Sequence, residues 1–153
     1  MKISCARKFQ FAMAHRIFEH EGECARLHGH NYTMWVYFTS DKLDDKGRVI
    51  DFSSIKNKIG EWINKYFDHQ VLVYENDKEM LSKVCNPIIF PTNCTAENMA
   101  IYCLIEFNRL FSDNNLTINK ITLFETDNCI AEVEMEDGDI LAIRNGAENE
   151  IQN

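Results

Sequence analysis

Histidine is scarce in this chain, with five in 153 residues, yet two of them flank a single glycine in CARLHGHNY, residues 24–32. Neutral imidazoles are good ligands for zinc, and a site of three histidines leaves a fourth position open for water or substrate. His15, His28 and His30 are the candidate set. The plain alternative is two surface histidines on a glycine turn and one histidine at a strand end. Cys24, four positions before His28, admits three readings. It is the fourth ligand of a closed structural site, a reactive thiol beside a metal, or an inert small side chain.

Further along, Asp68-His69 is either a helix-end pair or a carboxylate that orients an imidazole for proton transfer. Glu125 shares a strand face with Ile121 and Leu123, an unusual place for a carboxylate, and so calls for a partner. An inward carboxylate accepts two hydrogen bonds from an amidine-like edge such as that of a pterin or guanine.

The elements that must position these groups follow from periodicity. Residues 7–15 alternate with Phe9, Phe11, Met13 and His15 on one face, and residues 30–39 are rich in aromatic and β-branched types. His28, His30 and Tyr32 share one parity if this second strand extends back that far. Antiparallel pairing then brings His15, His28 and His30 together at the mouth of a loop that carries Cys24.

Ile55, Ile59, Trp62, Ile63 and Tyr66 predict an amphipathic helix capped by Asp51 or Ser53. Residues 70–94 hold both prolines, Pro87 and Pro91, show no clean period, and read as mostly loop. Thr95 opens a second, more buried helix that Ser112 to Asn115 end. Residues 117–126 and 129–135 flank an Asp127-Asn128 turn, a hairpin signal. The order is ββααββ in a single α+β domain, residues 1–144, with a frayed tail from 145 to 153.

Composition bounds the function. A chain that is 45% hydrophobic and 26% charged is globular, and its net charge of −8 disfavours nucleic acid as a partner. Six cysteines without a CxxC pair, and no apolar signal core at the N-terminus, predict a reducing, cytoplasmic setting. No run approaches the ~18 apolar residues of a membrane helix.

Together, AHR at 14–16, CARLHGHNY at 24–32, DH at 68–69, TAEN at 95–98 and FETDN at 124–128 resemble, in order, the motifs of the 6-pyruvoyltetrahydropterin and 6-carboxytetrahydropterin synthase family. The resemblance implies a tunnelling fold: a four-stranded antiparallel sheet with two helices on one face. It also implies a homohexamer, a dimer of trimers, with active sites between subunits. By the same resemblance His15, His28 and His30 hold zinc, Cys24 is a general acid or base, Asp68 and His69 relay protons, Glu125 anchors the pterin and Thr95 adds a hydrogen bond to it.

The implied enzyme is a carbon–oxygen lyase acting on 7,8-dihydroneopterin triphosphate. Three residues between Cys24 and His28 look like the carboxy branch, on the path to 7-deazaguanine nucleosides such as queuosine, where acetaldehyde is also lost. The alternatives are the pyruvoyl branch, a binding module with a closed zinc site, and a zinc hydrolase acting on another heterocycle. One departure is Cys94, where the family often has a proline before T-x-E-N.

Overall fold

The computed structural model describes residues 1–112 and 116–136. Strands β1 (Ile3–His15) and β2 (His28–Ser40) form a long antiparallel hairpin, in register from Ile3↔Ser40 to His15↔His28. Both strands exceed their sequence-read bounds, β1 by four residues at its start and β2 by two at its start and one at its end. Helix α1 (Phe52–Tyr66) follows, with Asp51 as its cap: the carboxylate accepts from Ser53 N–H at 2.8 Å.

The segment read as loop is structured. It contains β3 (Gln70–Tyr74), helix α2 (Lys78–Lys83) and β4 (Ile88–Phe90). Helix α3 (Ala96–Leu110), capped by the Thr95 hydroxyl on Asn98 N–H, then leads to the hairpin of β5 (Thr117–Thr126) and β6 (Cys129–Glu134). Asp127 and Asn128 make its turn, as the sequence predicts. The tail from 145 and part of the Ser112–Asn115 stop lie outside the described residues.

Among the described residues the sheet therefore has six strands, ordered β4-β3-β1-β2-β5-β6, and not four. The expected antiparallel set, β1-β2-β5-β6, is its centre and one edge. The other edge is parallel: β3 lies beside β1 at Met13↔Gln70 and Ala14↔Val71, and β4 lies beside β3. The order ββααββ becomes ββαβαβαββ, with a third, short helix. Pro87 and Pro91 do not break β4; they bracket it, outside the residues whose N–H groups a ladder needs.

The two long helices lie on one face of the sheet, as expected. Phe67, at the end of α1, meets Phe11 of β1, and Phe111, at the end of α3, meets Phe38 of β2. Trp62 and Phe107 join the helices edge to face. Ile55, Ile59, Met34, Val36 and Ile121 are wholly buried between these layers, and each such side chain contributes about 1.5–3 kcal/mol.

Candidate metal centre and active site

The β1–β2 register builds the cluster. His15 lies directly opposite His28, and Met13 opposite His30, so two-residue alternation keeps His28, His30 and Tyr32 on the face that His15 ends. Ring centroids are 4.8 Å apart for His15 and His28, 5.5 Å for His15 and His30, and 4.9 Å for His28 and His30. One nitrogen from each ring falls within 4.8 Å of the others. Gly29, between them, faces away toward β1, where a Cβ would stand 3.2 Å from the Met13 carbonyl oxygen.

Two rings have a defined tautomer. His15 Nδ1 lies 2.6 Å from the Cys94 carbonyl, and His28 Nδ1 lies 2.7 Å from that of Arg26. A carbonyl only accepts, so Nδ1 carries the hydrogen in both and the Nε2 lone pair is left for a ligand. Burial lowers the pKa of His15 most; the Cys94 carbonyl and Glu125 oppose that, and His28 and His30 reinforce it. The neutral, metal-binding form is favoured. The group can hold a metal ion, and three imidazoles with an open fourth position suit a borderline-soft divalent cation.

Glu125 finds its partner here. A register shift between Phe124 and Thr126 leaves Glu125 as an extra, unpaired residue of β5, and its Oε1 lies 3.4 Å from His15 Nε2 and 4.0 Å from His30 Nε2. The Tyr32 hydroxyl stands 3.1 Å from His15 Nε2 and 3.4 Å from Glu125 Oε1. Burial, then the Glu125 charge, push the Tyr32 phenol well up, so it stays protonated and donates within this group.

The other candidates lie around the cluster. Asp68 and His69 pair through Oδ1 and Nδ1 at 3.0 Å, and Asp68 Oδ1 also accepts from Ala12 N–H at 3.0 Å. His69 takes a left-handed backbone (φ 59°), donates its N–H to the Ala12 carbonyl, and leaves its side chain 83% exposed. His69 borders a shallow depression of about 380 Å³ whose lining includes Ala12, Ala14, Gly29 and Asn31, at strand positions that alternate with those of the histidine cluster. Thr95 caps α3 next to Cys94, whose carbonyl holds His15. Cys24 is exposed on a short turn, Glu23–Ala25, and is not part of the three-histidine group.

Sequence reasoning missed the carbonyls of Cys94 and Arg26, because backbone groups carry no residue signature. It also missed the ion pair directly after His15. Arg16 donates from Nε and Nη2 to the two oxygens of Asp77, each at 2.6 Å, and Asp77 in turn caps α2 through Met80 N–H. Tyr32 was legible as the third residue of the H-x-H-x-Y alternation, though not as a donor.

Fold and site define a class: an α+β protein with a three-histidine, metal-competent cluster and a neighbouring carboxylate at one end of a hairpin. The profile of the family described as 6-pyruvoyl tetrahydropterin synthase matches residues 4–136, and the chain belongs to that family. It is an enzyme of the tetrahydropterin synthase type.

A protein of Rickettsia typhi named 6-carboxy-5,6,7,8-tetrahydropterin synthase is 39% identical over 137 residues, 86% of this chain and 99% of its own length. A Haemophilus influenzae protein of the same name is 35% identical over 144 residues, 87% and 98%. In solved structures, the fold is shared with Caenorhabditis elegans 6-pyruvoyl tetrahydropterin synthase, at TM-score 0.69, 24% identity and coverage of 89% and 97%. An uncharacterized Wolinella succinogenes protein matches at TM-score 0.76 and 19% identity, covering 89% and 99%. Among the described residues, no helix is long and apolar enough to cross a membrane.

Proposed function

We propose that this chain is a zinc-dependent carbon–oxygen lyase that converts 7,8-dihydroneopterin triphosphate and one water to 6-carboxy-5,6,7,8-tetrahydropterin, triphosphate and acetaldehyde. The observation that carries this reading is the placing of Glu125 beside the His15, His28, His30 cluster, in a chain whose full-length relatives bear that product's name. Residues 1–144 would act as one cytoplasmic synthase domain on the route to 7-deazaguanine (queuosine) nucleosides. Copies would assemble as a homohexamer with active sites between subunits, as the family resemblance implies.

His15, His28 and His30 would hold the zinc, whose positive charge acidifies hydroxyls of the substrate side chain. The Glu125 carboxylate accepts the ring amide and amino hydrogens of the pterin, with Tyr32 as its neighbouring donor. Thr95, whose hydroxyl already accepts from Asn98, keeps a hydrogen to donate to the ring. His69, oriented by Asp68 and exposed, passes protons to and from substrate carbons, and Cys24 on its exposed turn is the second proton-transfer group.

Incubation of the purified protein with 7,8-dihydroneopterin triphosphate, followed by mass analysis, tests this reading. The expected products are the 6-carboxy pterin and acetaldehyde. A 6-pyruvoyl product without acetaldehyde assigns the chain to the other branch, and no consumption of substrate refutes the lyase reading.

A further inference from the structure

One side chain joins three segments that meet around the histidine cluster. The Asn93 amide reads the backbone of Phe18 in both directions: Oδ1 accepts from Phe18 N–H at 2.9 Å, and Nδ2 donates to the Phe18 carbonyl at 2.9 Å. That double match allows only one orientation of the amide. Oδ1 also accepts from Cys94 N–H at 3.0 Å, and the carbonyl of the same Cys94 meets His15 Nδ1 at 2.6 Å. The Asn93 carbonyl takes Thr95 N–H at 2.8 Å and Asn98 Nδ2 at 2.9 Å, which ties in the start of α3. Beside Phe18, Ile17 donates its N–H to the Cys24 carbonyl at 2.8 Å, so the hold extends to the turn that carries the thiol.

We propose that Asn93 is the positioning residue of this site: it sets the Cys94 carbonyl against His15 Nδ1, and so the His15 tautomer, while anchoring the base of the Cys24 turn. The inference rests on the metal-site reading above. Asn93 itself touches neither the cluster nor, in this assignment, the substrate. No other side chain of its length offers an amide donor and acceptor together to the N–H and C=O of one residue: aspartate only accepts, and alanine does neither. Partners that orient metal-ligating histidines typically govern metal affinity by about 10- to 100-fold.

The test compares the full-length protein with Asn93→Ala and Asn93→Asp. Three readouts are taken: zinc affinity of metal-stripped protein against a competing chelator, the tautomer of His15 by nitrogen NMR before zinc is added, and the alkylation rate of Cys24 by peptide mapping. In Asn93→Ala, zinc affinity falls about 10-fold or more, His15 loses its single Nδ1–H form, and Cys24 alkylates faster. Asn93→Asp, which keeps the acceptor and loses the donor, lies between.

If Asn93→Ala does not fold, Asn93→Asp is held to the same criteria. Affinity within about 2-fold of the parent, with His15 still in one tautomer, overturns the proposal. If the parent itself binds no zinc, the metal-site reading fails, while tautomer and alkylation still decide the role of Asn93.

Discussion

Arg16 and Asp77 form a two-pronged ion pair one residue beyond the buried His15, with Asp77 only 1% exposed. The pair joins the end of β1 to the cap of α2, two elements 61 residues apart in the chain. Arg16→Met strands the Asp77 carboxylate in the interior, and breaking a buried pair from one side costs about 3–5 kcal/mol. Urea unfolding of this variant should show a loss of that size. A loss below ~1 kcal/mol would mean that the pair behaves like a surface one.

The same pair predicts an acid limb of stability. The Arg16 guanidinium, helped by Met80 N–H and opposed by burial, holds the Asp77 carboxyl below its ordinary value. A group whose folded pKa is depressed contributes its stability in full above its unfolded value, about 3.9, and loses it as pH falls through the lower folded value. Melting temperature should therefore drop on that descent, and Asp77→Asn should flatten this part of the profile. An unaltered acid limb in Asp77→Asn would assign the effect to other carboxylates.

Metal analysis of the purified protein should give about one zinc per chain, and His28→Ala should lose most of it. Full occupancy in a variant with His15, His28 and His30 all changed to alanine would remove the basis of the functional reading.

Cys24→Ala should keep its zinc and its melting temperature while turnover falls by ~10²-fold or more, the range for losing a general acid or base. The exposure of Cys24, outside the three-histidine group, supports that expectation. Joint loss of metal and fold would instead make Cys24 a structural ligand.

Glu125→Gln should weaken pterin binding by roughly 1.5–3 kcal/mol, because the amide gives up the charge-assisted pair with the ring, and should leave the fold intact. Calorimetry with a pterin reads this directly. Unchanged affinity would place the ring elsewhere.

What was legible in the sequence was whatever repeats locally. Phe9, Phe11, Met13 and His15 alternate, as do His28, His30 and Tyr32, and the observed register brings these two sets onto one face. Glu125 stood out against Ile121 and Leu123, and its surroundings explain why. Thr95 and Asp51 cap the helices they precede.

The illegible parts depend on distant partners. Val71, Leu72 and Val73 are too few to show a period, and β3 becomes a strand by lying between Met13 and Ala14, far away in sequence, and the three residues of β4. The Arg16–Asp77 pair and the Cys94 carbonyl on His15 are equally non-local. Pro87 and Pro91 read as strand breakers because their place outside β4 shows only in three dimensions.

The His15↔His28 pairing at the end of the long hairpin has an evolutionary consequence. Strand pairing sets where the ligand backbones stand, while the segment 16–27 is fixed near both of its ends, by Asn93 on Phe18 and by the Arg26 carbonyl on His28. Between these anchors the bridge can lengthen, shorten or change its chemistry without moving a histidine, because each doubling of a loop costs only about 0.6 kcal/mol. The cysteine rides on the bridge, whereas the ligands belong to the frame. A protein divided in this way can acquire a new reaction by rewriting one loop over an inherited cluster.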